Sequence, residues 1–121
     1  MYREKEQEIL EKYSFFHPNK PLSESLMAFG FECGQGWFGI IEEMCEKLSK
    51  VVPEDFEIIQ VKEKFGGLRV YSNFSNDEID KIITEAEIKA ESTCEICGDV
   101  GKERGGSWIR TLCDKCNGEK R

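Results

Sequence analysis

Four of the six cysteines stand in two Cys-x-x-Cys pairs, Cys94-Glu95-Ile96-Cys97 and Cys113-Asp114-Lys115-Cys116, with fifteen residues between them. Thiolates two residues apart can turn toward one cation, and a glycine close behind each pair, Gly98 and Gly118, lets the backbone fold tightly beneath the sulfurs. That pattern predicts a tetrahedral Zn²⁺ site on Cys94, Cys97, Cys113 and Cys116, at about 2.3 Å per sulfur. Four thiolates leave no open position for water or substrate, so the predicted zinc is structural rather than catalytic. The residues between the pairs offer little beyond Trp108 and Ile109 to bury, too few to hold a fold without the ion. Whether this ribbon is a contact surface or a clamp for the C-terminal segment stays open.

A second group of candidates lies around Gly66-Gly67. Residues 56–65 and 68–74 are rich in Ile, Val, Phe and Tyr, and the glycine pair accepts the positive φ angles of a two-residue hairpin turn. With the turn there, Phe65 faces Leu68, Lys64 faces Arg69, Lys62 faces Tyr71 and Ile59 faces Phe74. One face then collects Ile59, Val61, Phe65, Leu68, Val70 and Phe74 for the core. The other carries Gln60, Lys62, Lys64, Arg69, Tyr71 and Asn73. Opposed like charges are mildly destabilising in a sheet, which makes Lys62, Lys64, Arg69 and Tyr71 a candidate anion-binding set. The competing account is that lysines on a short exposed sheet discourage edge pairing. A one-residue displacement of the turn is expected to invert the alternation and separate the cations.

Other chemistry is thin. Cys45 falls at a core position of a helix, and Cys33 precedes Gly34-Gln35-Gly36, a turn into a helix. That turn lacks the lysine and hydroxyl residue of a phosphate-binding loop. The one histidine, His17, shares the irregular segment with Cys33, but nothing in the sequence brings the two together. No catalytic residue is assigned, and the chain reads as a non-enzyme.

The elements that must position these groups follow from periodicity. A charged amphipathic helix over 2–14, with Tyr2, Ile9, Leu10 and Tyr13 on one face, ends before Pro18. The loop 15–36 is irregular yet apolar, with Leu22, Leu26, Met27, Phe29 and Phe31. Trp37, Ile40, Ile41, Met44, Leu48, Val51 and Val52 mark a central helix over 37–52, which Pro53 stops. The hairpin occupies 56–74. Ser75 as N-cap and Glu78 three residues later open a helix over 76–92, with Ile79, Ile82, Ile83, Ala86 and Ala90 inward. The expected class is α+β: a body over 1–93, helices packed on a small antiparallel sheet, followed by a zinc ribbon over 94–121.

Charge separates the two parts. Residues 1–93 hold 11 basic and 19 acidic groups, residues 94–121 hold 6 and 5, and the whole chain carries −7. That balance disfavours a general grip on nucleic acid or anionic lipid. No apolar run approaches the roughly 18 residues that span a bilayer, and the first residues lack the apolar stretch of a signal peptide. The expected location is the cytoplasm, where a metal site is a better account of the paired cysteines than disulfides.

At Cys33-Gly34-Gln35-Gly36-Trp37, Val61-Lys62-Glu63-Lys64-Phe65-Gly66-Gly67-Leu68-Arg69 and the knuckle ending Thr111-Leu112-Cys113, the chain resembles a group of small, mostly uncharacterised proteins of bacteriophages and prophages. The resemblance spans about residues 30–116. It implies a zinc ribbon, a phage or prophage setting in a host cytoplasm, and stoichiometric binding, by sequestering a host signal or blocking a host protein. The leading expectation is capture of an anionic, nucleotide-like small molecule or an acidic host protein on the cationic hairpin face. The alternative is a zinc ribbon that contacts nucleic acid or a transcription-associated partner. Neither the oligomeric state nor the role of the first helix is legible.

Overall fold

The computed structural model describes residues 3–17, 20–21, 23, 25, 27, 30–105 and 109–119. Tyr2, Leu22, Leu26, Phe29 and Trp108 of the sequence reading lie outside these. The first helix, α1 (Arg3–Lys12), keeps Ile9 inside and its charges outside. It is tied to the body where Glu6 accepts a hydrogen bond from the Phe31 amide. A short strand β1 (Phe31–Glu32) and a single 3-10 turn (Gln35–Trp37) lead into the central helix α2 (Phe38–Leu48). The hairpin is β2 (Ile58–Lys64) and β3 (Gly67–Ser72), followed by α3 (Asp77–Ala90). The C-terminal ribbon is β4 (Lys102–Arg104), β5 (Arg110–Leu112) and α4 (Asp114–Glu119).

The fold is α+β, as expected, with a sheet ordered β1-β2-β3 whose buried side chains join one cluster with those of α1, α2 and α3. β1 runs parallel to β2, Phe31 opposite Val61 and Glu32 opposite Lys62, and adds a strand that the apolar loop gave no sign of. Trp37, Ile41, Met44 and Leu48 pack in one cluster with Ile58, Val61, Leu68, Val70, Ile79 and Ile83. The loop's aromatics extend that core rather than forming a site. Phe16 meets Phe31 at 5.7 Å between ring centroids, and Phe31 meets Phe38 at 5.6 Å. Leu48 is fully buried. Leu48→Ala should therefore cost about 2 to 5 kcal/mol in denaturant unfolding, where a surface position would cost under about 0.5.

Three local readings change. The cap of α3 is Asn76, whose side chain accepts from the Ile79 amide, not Ser75. An irregularity between Ile58 and Gln60 sends Ile58 into the core and leaves Ile59 half-buried. Phe65 and Phe74, assigned to the core face, are 72% and 44% exposed.

Phe74 lies beyond the end of β3 at Ser72, and Phe65 sits in the turn itself. The turn is formed by Phe65-Gly66, with Lys64 opposite Gly67, Lys62 opposite Arg69, Val61 opposite Val70 and Gln60 opposite Tyr71. Although the turn is displaced by one residue, the alternation does not invert. Sliding a two-residue turn by one position moves every cross-strand partner by two, and two is the side-chain period of a strand. Gln60, Lys62, Lys64, Arg69 and Tyr71 therefore remain on one face. No helix among the described residues is long and apolar enough to cross a membrane.

Candidate metal centre

The two Cys-x-x-Cys pairs converge. The sulfurs of Cys94, Cys97, Cys113 and Cys116 all lie within 4.8 Å of one another, and those of Cys97 and Cys113 are 3.6 Å apart. Four sulfurs about 2.3 Å from a common centre form a tetrahedron with an edge of about 3.8 Å, so this spacing suits a single ion. Each knuckle turns as a Cys-x-x-Cys loop must. In the first, the Gly98 amide donates to the Cys94 carbonyl at 2.9 Å with φ +86 at Gly98. In the second, the Cys116 amide points at the Cys113 sulfur at 3.4 Å and α4 begins at Asp114.

Burial works against ionisation of Cys94, but hydrogen bonds from the backbone of Cys113, Cys97 and Ile96 and from the Cys97 thiol bring it down to about 6, while burial and the neighbouring thiols push Cys116 up and the Cys97 thiol is also raised. A thiolate is the form that ligates metal. By contrast, burial, with Glu42 nearby, pushes the Cys45 thiol far up, which leaves it an inert part of the α2 core. Cys33 is half-buried beside Gly34.

The ribbon's own buried cluster is Cys94, Leu112, Cys113 and Cys116, with Ile96 against it. Among the described residues, three of its four buried members are thiols of the candidate metal site. No protein-family model, curated protein or solved structure matches this chain.

What the sequence reading missed is how the ribbon is seated. The Gly34-Gln35-Gly36 turn is the seat of the first knuckle: the Gly36 amide donates to the Glu95 carbonyl at 2.7 Å, and the Gly34 amide to Glu95 Oε2 at 2.8 Å. The approach is too close for side chains. A Cβ on Gly36 would lie 2.1 Å from the Cys94 carbonyl oxygen, and one on Gly34 2.4 Å from that of Glu95. Glu95, buried between two metal-site cysteines, is balanced by Arg110 Nη2 at 3.2 Å. The Trp37 indole donates to the Thr93 carbonyl at 2.9 Å on the same side. A second seat is the hairpin turn, where the Thr111 hydroxyl donates to the Gly66 carbonyl at 2.6 Å. The visible signal was two glycine-bearing turns, one read as a helix entry and one as a hairpin turn; the ribbon residues that both contact, Glu95 and Thr111, are remote in sequence.

The four residues expected to bind an anion share a face but not a pocket. Lys64 and Tyr71 are exposed, and Lys62 is half-buried opposite Arg69. Arg69 turns back on its own strand, donating to the Leu68 carbonyl at 3.0 Å. Burial raises the nearby Glu87 carboxyl above its ordinary range, opposed by the hydrogen bond from the Val70 amide and, less, by the Arg69 charge. β1 adds an acid to the face: Glu32 accepts from the Gln60 amide at 3.0 Å, beside Lys62 in register. The cation repulsion read from sequence is thus partly relieved within the chain.

Proposed function

We propose that this chain is a zinc-binding protein that acts by stoichiometric binding, with one structural Zn²⁺ on Cys94, Cys97, Cys113 and Cys116 and an acidic protein partner on the solvent face of the hairpin. The observation that carries the metal half is the closed four-sulfur cluster, all within 4.8 Å. Filled by zinc, it has no position for substrate, so the ion stabilises and the chain binds rather than catalyses. For the partner, the register supports a face presenting Lys62, Lys64 and Tyr71 on a chain of net −7. An open sheet face suits a protein surface better than a nucleotide-sized ligand, which is ordinarily enclosed in a concave pocket. In the phage or prophage setting that the motifs imply, that partner would be a protein of the host cytoplasm.

The experiment is calorimetric titration of the zinc-loaded protein with polyglutamate, ATP and a short DNA duplex at two salt concentrations. Polyglutamate should bind and weaken with salt, and Lys62→Glu with Lys64→Glu should reduce that binding at least about tenfold. Binding of ATP or DNA alone would contradict the acidic-protein reading in favour of a nucleotide-like ligand or nucleic acid.

A further inference from the structure

The turn between β2 and β3 places a large aromatic where the backbone tolerates one least. Phe65 has φ +54 and Gly66 φ +83, the left-handed pair of a type I′ turn, a geometry that favours Asn-Gly. A bulky side chain in that region is strained and persists where the surroundings over-determine it. The ring does not bury itself in return: it is 72% exposed, with the Lys64 ammonium 5.8 Å from its centroid.

The backbone beneath the ring is held firmly. The Gly66 amide donates to Glu63 Oε2 at 2.7 Å, its carbonyl accepts from Thr111, and a Cβ there would lie 3.0 Å from Ile109 Cγ2. A cleft of about 360 Å³ opens at the foot of the ring, lined by Gly67, Arg69, Glu91, Glu103 and Thr111. Lys62, Lys64 and Arg69 set positive charge on this face, with the carboxylates of Glu63, Glu91 and Glu103 at the turn and in the cleft beside it.

We propose that the hairpin tip is a docking prong: Phe65 enters an apolar pocket on a protein partner whose rim is acidic, and Lys62 and Lys64 pair with that rim. This deepens the reading of the hairpin as the binding face and rests on it. Aromatic anchors in desolvated pockets carry most of an interface's energy, and a prong already fixed in place loses little freedom on binding. The cations around it steer an acidic partner and disfavour a basic one. The net charge of −7 argues against a nucleic-acid strand as the occupant.

The test has two arms. Phe65→Asn restores the favoured turn pair, so the melting temperature of the zinc-loaded protein should hold or rise by up to about 6 °C. A fall would show that the ring serves the fold and would overturn the proposal. In the second arm, p-benzoylphenylalanine is placed at position 65, 71 or 88 in the full chain and photo-crosslinked in the organism that encodes it. Ile88 is the control, being 57% exposed on α3. The expected result is a discrete protein adduct from position 65, absent from position 88 and lost with Lys62→Glu and Lys64→Glu. A nuclease-sensitive adduct, one at twice the chain's own mass, or equal adducts from positions 65 and 88 would overturn it. An adduct from position 71 without one from position 65 would end the prong and leave the face; none from either would end both.

Discussion

Chelation of the metal should unfold residues 94–119 and loosen two distant turns with them. Among the described residues, the ribbon's buried apolar cluster is Cys94, Leu112, Cys113 and Cys116 with Ile96 against it, so an ion on the four thiolates would be the main free energy holding it. Structural zinc in comparable small modules contributes on the order of 10 kcal/mol at neutral pH. Because Glu95 receives the amides of Gly34 and Gly36, and Thr111 donates to the Gly66 carbonyl, the effect should not stop at Thr93. Hydrogen exchange followed by mass spectrometry should show protection lost throughout the ribbon and reduced at residues 34–37 and 65–68. The α2 segment from Ile41 to Leu48 should stay protected, since it packs chiefly on α3 and, beyond that, on α1 within the body's buried cluster. Loss confined to the ribbon would mean that the two seats are held by the body alone.

The second large effect is expected at a glycine. Gly36→Ala would put a methyl 2.1 Å from the Cys94 carbonyl oxygen and 2.6 Å from backbone atoms of Glu95. Nothing flexible can give way there, because both are backbone on the loop that carries two metal-site sulfurs. About 3 to 5 kcal/mol should be lost in denaturant unfolding, with weaker metal retention, since the knuckle must leave its seat. Gly39→Ala is the internal control. Gly39 lies three residues along, inside α2, and a Cβ there meets nothing within 4 Å. That change should stabilise by about 0.5 to 1 kcal/mol through helix propensity. Equal effects at the two positions would remove the close approach from the account.

These two glycines also mark where the sequence stops being legible. The four-cysteine cluster could be read because Cys-x-x-Cys spacing is local: chain geometry alone brings two sulfurs together. α2 could be read because Trp37, Ile41, Met44 and Leu48 repeat with the helical period, but it ends at Leu48 with Ser49 as its cap, short of the expected residue 52 and before Pro53 is reached. The polar face of the hairpin survived an error of one residue because partners move in steps of two. The turn itself was misplaced because Phe65 occupies a conformation that its own preference argues against, while Gly66-Gly67 looked the better pair. β1 was invisible because two residues paired in parallel leave no alternation to see. The task of Gly34-Gln35-Gly36 was hidden for a different reason: its partner, Glu95, lies 61 positions away, and close backbone approach leaves no mark except the missing side chain.

The most direct test of the central claim is X-ray absorption at the zinc edge on the protein as purified, with the metal content measured on the same sample. One zinc per chain is expected, with a first shell of four sulfurs at about 2.3 Å that falls to three sulfurs in Cys97→Ser. No zinc, nitrogen or oxygen in the first shell of the unaltered chain, or a shell unchanged by Cys97→Ser, would contradict it.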